Sequence, residues 1–62
     1  MFIDGYAVQW HVSFLGVTRV LIYTATPNHE YILLTMFDCF EGDDARTVER
    51  MAEEKIQEIE GR

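Results

Sequence analysis

Large apolar or aromatic residues occupy every second position from Tyr6 to Phe14: Tyr6, Val8, Trp10, Val12 and Phe14. Ala7, Gln9, His11 and Ser13 fall between them. A period of two belongs to an extended strand that buries one face, and aromatic and β-branched side chains suit a pleated surface. A chain containing this segment must build a sheet and cover at least one side of it.

The rest of the chain supplies the partners. Leu15-Gly16-Val17-Thr18 reads as a tight turn, with Gly16 at the first central position of a type II′ hairpin, where φ is positive. A second strand is expected from Thr18 to about Thr26. Its Val20-Leu21-Ile22-Tyr23 core is apolar on both parities, as in a central strand. Thr26-Pro27-Asn28-His29 is a second turn, and a third strand is expected from Glu30 to about Phe40. Glu41-Gly42-Asp43-Asp44 then breaks the sheet, with Asp43 expected as a helix N-cap. Beyond it Ala45, Val48, Ala52, Ile56 and Ile59 recur at steps of three and four, with Met51 alongside. That period predicts an amphipathic helix of about 17 residues ending near Gly61. The predicted fold is α+β: a three-stranded antiparallel meander followed by one C-terminal helix packed on one sheet face.

With 62 residues, residues 1–62 are expected to form a single small domain, since a chain of this size buries only about 60% of its unfolded surface. A lone cysteine offers neither an internal disulfide nor a zinc ligand set. Stability must then come from a packed core or from association.

If Gly16 and Val17 are the central turn residues, Val12 pairs with Leu21 and Trp10 with Tyr23. Residues directly opposite share a face. One face then collects Tyr6, Val8, Trp10, Val12, Phe14, Leu21 and Tyr23, joined by Ile32, Leu34 and Met36, and seats the helix. The other carries His11, Val20, Ile22, Leu33 and Phe37. One helix cannot cover two faces, so Val20, Ile22, Leu33 and Phe37, with His11 beside them, are expected to form a partner or dimer face. A homodimer or a partner is expected to bury this face or a free edge of the first or third strand, a homodimer being the leading reading.

Eleven acids face five bases, for a net charge of −6 and a pI near 4.6. Such a balance argues against direct nucleic-acid binding, which depends on Lys and Arg neutralising phosphates, and against an anionic membrane surface. No apolar run approaches the roughly 20 residues of a membrane span, and the start lacks the basic region of a signal peptide. A cytoplasmic location is expected. Nine of the eleven acids lie in residues 38–62. Among these, Glu49, Glu53, Glu54 and Glu58 form an acidic helix surface that suits a basic protein partner, with like charges at i,i+4 (Glu49 and Glu53, Glu54 and Glu58) that gain nothing locally.

Catalytic chemistry finds little purchase. His11 and Cys39 lie on different edge strands with the central strand between them, beyond the hydrogen-bond reach a nucleophile and base need. Asp38, Glu41, Asp43 and Asp44 cluster before the helix, but their spacing does not match a calcium loop, so no metal or cofactor is expected.

The β-β-β-α order resembles that of small DNA-reading domains such as phage integrase arm-binding domains, which lay a three-stranded sheet in the major groove. Those domains are basic on the reading face, whereas here the three strands carry one basic residue, Arg19. The likeness is one of topology, and fold alone does not carry function. The expected function is a non-enzymatic protein–protein interaction module, a small acidic inhibitor or regulator of the viral or mobile-element kind that occupies a partner's surface. The alternative is a structural subunit of an obligate homo-oligomer.

Overall fold

The computed structural model describes residues 1–40, 42 and 44–61. It is α+β, with one open antiparallel sheet and one C-terminal helix, but the sheet has four strands rather than three. In chain order these are β1 (Phe2–Ile3), β2 (Tyr6–Val12), β3 (Thr18–Ala25) and β4 (Tyr31–Cys39), followed by α1 (Ala45–Glu60). Spatial order matches chain order.

The extra strand comes from Asp4-Gly5. Both residues have positive φ, 51° and 88°, the backbone of a type I′ turn whose signature is Asn-Gly or Asp-Gly. The turn folds Phe2 back against Ala7 and Ile3 against Tyr6. Beyond β1, Val8 N donates to Met1 O at 2.8 Å, and the terminal amino group donates to Val8 O at 2.9 Å.

The β2–β3 hairpin departs from the expected two-residue turn. Ser13 N donates to Val17 O at 2.9 Å and Gly16 N to Ser13 O at 3.0 Å, leaving a three-residue loop of Phe14, Leu15 and Gly16. The Ser13 hydroxyl oxygen accepts from Leu15 N and Val17 N at 3.2 and 3.3 Å. That bond holds the loop, and Gly16, at φ 82°, takes its last position in the left-handed region. The β3–β4 loop repeats the design. Thr26 N donates to Glu30 O and His29 N to Thr26 O, Thr26 Oγ1 accepts from Glu30 N, and His29 sits at φ 64°.

The longer first loop pairs Val12 with Thr18, Trp10 with Val20 and Val8 with Ile22. Relative to the expected register, β3 has moved by three residues along β2. An odd shift exchanges the two faces of the moved strand. Farther on, the register between β3 and β4 changes once more: Ile22 faces Thr35 while Tyr23 faces Leu33, leaving Leu34 as the extra residue of a β-bulge.

These two events place the core. Across the helix-covered face run the rows Val8–Ile22–Thr35, Trp10–Val20–Phe37 and Val12–Thr18–Cys39. Ile3, Val8, Val20, Ile22 and Cys39 are buried there against Val48, Ala52 and Ile56 of α1, with Tyr6, Trp10, Phe37 and Met51 packed around them. Thr18 is also fully buried, and its hydroxyl has no hydrogen-bond partner among the described residues, which costs stability.

Asp44 caps α1, its Oδ1 accepting from Thr47 N at 2.8 Å. Asp43, the expected cap, lies outside the described residues. Gly61, at φ 76°, closes the other end with its N–H directed at the Gln57 and Glu58 carbonyls, the left-handed C-cap that glycine adopts without strain. The Thr47 backbone bond to Asp44 is the main cause holding that carboxyl below its ordinary range, with the Thr47 side chain adding to it. A depressed carboxylate stabilises the fold above its unfolded-state pKa and loses that contribution as pH falls through its folded-state value. Asp44→Ala should therefore lower the thermal midpoint at neutral pH, and its difference from the wild type should shrink toward zero in acid. Thermal unfolding followed by circular dichroism at stepped pH checks this, and a gap that persists unchanged into strong acid contradicts it.

Candidate functional site

One helix over a four-stranded sheet leaves the other face bare. The open face is built from rows that cross the strands. At one end Phe2, Ala7, Tyr23 and Leu33 stand in line, next to the terminal pair Ala25 and Tyr31. In the middle come Gln9, Leu21 and Met36, and at the far end His11, Arg19 and Asp38. The face therefore grades from aromatic and aliphatic to charged.

The apolar side chains of this face are well exposed: Phe2 at 71%, Tyr31 at 56% and Leu33 at 45% at the apolar end, and Met36 at 53% in the middle. Met1, Phe2, Ala7, Val8, Gln9, Tyr23 and Tyr31 line a depression of about 300 Å³ at this end. At the polar end Arg19 Nε donates to Asp38 Oδ1 at 3.1 Å. Both side chains are exposed, so the pair orients the strands more than it stabilises them. The apolar rows of the open face are thus exposed to water and bordered by polar ones.

The expected partner face divides under this geometry. Leu33 and His11 lie on the open face. Val20 and Ile22 do not: both are fully buried beneath α1. Phe37 is half-buried on that same covered side, with Lys55 Nζ 5.5 Å from its ring centroid. Leu21, Tyr23 and Met36, expected under the helix, face the open side instead. The physical reason is the odd shift of β3 on the Ser13 loop, followed by the Leu34 bulge. The open-face members missed in the sequence reading are thus Phe2, Leu21, Tyr23 and Met36. Phe2 could have been found from the Asp4-Gly5 turn signal.

Glu49, Glu53, Glu54 and Glu58 are exposed on α1 as expected. Arg50 bonds Glu54 at 3.3 Å, and Lys55 bonds Glu58 at 3.5 Å. The helix and the open face lie on opposite sides of the sheet, so one flat partner surface cannot touch both. His11 and Cys39 are likewise separated by the sheet: His11 is on the open side, while the Cys39 thiol is buried and directed at Gly42 O, 3.7 Å away. Of the acids before the helix, Asp38 engages Arg19 and Asp44 caps α1, while Glu41 and Asp43 lie outside the described residues. Among the described residues no group of His, Cys, Asp and Glu is arranged to hold a metal ion, and no helix is long and apolar enough to cross a membrane. No family model, curated protein or solved structure matches this chain.

Proposed function

We propose that the chain is a non-catalytic protein-interaction module, an inhibitor or regulator that occupies a partner's surface, and that its docking surface is the open face of the sheet. The observation that supports this most directly is the set of exposed apolar side chains on that face, Phe2, Tyr31, Leu33 and Met36, bordered by Gln9, His11 and the Arg19–Asp38 pair. Aromatic anchors beside a depression are the groups that carry most of the energy in protein interfaces. The net charge of −6 favours a partner of opposite sign by long-range attraction, with the acids of α1 acting from behind the sheet rather than in the contact.

Two variants separate this reading from one in which the acidic helix makes the contact. Tyr31→Lys with Met36→Lys should abolish capture of the partner retained from source-cell lysate by the wild type. Glu53→Lys with Glu54→Lys should leave equilibrium affinity within about twofold at 150 mM salt, where the screening length is about 8 Å. Binding lost with the helix variant and kept with the open-face variant would overturn the proposal.

A further inference from the structure

We infer that β4 is a pairing edge for a second copy of this chain, joined antiparallel about a two-fold axis normal to the sheet. The inference goes beyond the docking face proposed above, because it uses the backbone edge of a strand rather than the open face.

Folded proteins blunt their free edges with short strands, charges, proline or bulges. The β1 edge follows that rule at two residues. The β4 edge carries only the bulge at Leu34, which twists the strand but leaves the backbone groups on either side of it uncovered. It is nine residues long, and Tyr31 to Phe37 contains no charge, proline or glycine. Its apolar groups are exposed on both sides of the sheet: Tyr31, Leu33 and Met36 on the open side, and Ile32, opposite Thr24, on the helix side at 53%. A partner lying only on the open face leaves Ile32 in water, whereas an added strand covers both sides.

Self-pairing satisfies the strand's own constraints. A two-fold axis normal to the sheet must match open side with open side. Before the bulge at Leu34 the odd residues face the open side, and after it the even ones do. Pairing the full length with Leu33 opposite the partner's Met36 and Ile32 opposite the partner's Phe37 meets that condition at every position outside the bulge. It also sets Glu30 against the partner's Cys39 and Asp38 against the partner's Tyr31, so no like charges face each other. A one-residue slip would bring Glu30 onto the partner's Asp38 and break the match of faces.

The area is adequate. At exposures of 43–78%, Tyr31, Ile32, Leu33, Leu34, Met36 and Phe40 offer on the order of 700 Å², against the roughly 800 Å² per partner of a standard interface. Lys55 of α1 lies over the Phe37 ring and pairs with Glu58, so the helix brings a cation to the β4 side together with that acid, and α1 packs chiefly across β1 and β3. Because β1 is too short to pair in the same way, the contact closes as a dimer rather than growing into a fibre.

Light scattering over a wide concentration range should give twice the chain mass for the wild type. Ile32→Lys, on the helix side and outside the open face, should weaken the dimer by at least about tenfold while keeping the wild-type circular dichroism spectrum. Phe2→Ser, on the opposite edge, should leave the dimer intact. Hydrogen exchange on the wild type gives an independent reading, with outward amides of β4 as protected as those of β3. A chain that stays monomeric at millimolar concentration, or fast exchange along the outer side of β4, would overturn the inference and leave the docking face standing. A dimer that survives Ile32→Lys and is dissolved by Phe2→Ser would also overturn it, by showing that the open faces pair with each other.

Discussion

Val20→Lys should unfold this protein, while the same substitution one residue later, at Leu21, should leave it folded. Val20 is completely buried between Trp10 and Phe37 beneath α1. An ammonium there has no partner, and the effective penalty for an uncompensated buried charge is several kcal/mol. A domain of 62 residues has about 3–9 kcal/mol of total stability at typical values per residue. The penalty is therefore comparable with everything the fold has. Leu21 is only half-buried, on the open face between Gln9 and Met36, and a lysine there can lay its stem along the sheet with the charge in water. Far-UV circular dichroism and thermal unfolding of the two variants decide the matter. The reverse outcome, with Leu21→Lys unfolded and Val20→Lys tolerated, would restore the two-residue turn in which Leu21 faces the helix.

The helix offers a second large effect. Ile56 is fully buried against the sheet, and Ile56→Ala should cost about 2–5 kcal/mol through lost transfer energy and the cavity left behind. Ile59 belongs to the same apolar stripe in sequence, yet it is 42% exposed near the end of α1. Ile59→Ala should cost less than about 1 kcal/mol. Urea unfolding of both variants measures the contrast. Equal losses would mean that α1 packs along its whole stripe rather than around Val48, Ala52 and Ile56.

Much of the architecture can be read from the chain. The alternation from Tyr6 to Phe14 identified β2, which ends at Val12, and Val8 and Trp10 do face the helix, whereas Val12 is half exposed and Phe14 stands in the loop, 97% exposed. The three- and four-residue steps from Ala45 to Ile59 identified the stripe of α1, of which Val48, Ala52 and Ile56 are buried, and Gly61 marked its end. Gly16 was correctly read as a residue with positive φ. The short β1 escaped because two residues carry no period, although Asp4-Gly5 held the turn signal. The membership of the open face was less legible. The need for one bare face followed from having a single helix, but its membership was exchanged along β3, so Val20 and Ile22 proved to be core and Leu21 and Tyr23 open.

Alternation and helical period are local properties, imposed by backbone geometry on neighbouring residues, so element type and order follow from the chain alone. Which side of each strand is buried depends on how strands are joined. Here the Ser13 hydroxyl, bonding two loop amides, made the first hairpin loop three residues long, and the bulge at Leu34 changed parity within β4. β3 and the first half of β4 are apolar on both parities, so their composition does not choose between the two faces. Packing against α1 made that choice, because Val20 and Ile22 fit beneath Val48, Ala52 and Ile56 once the first loop had set the register.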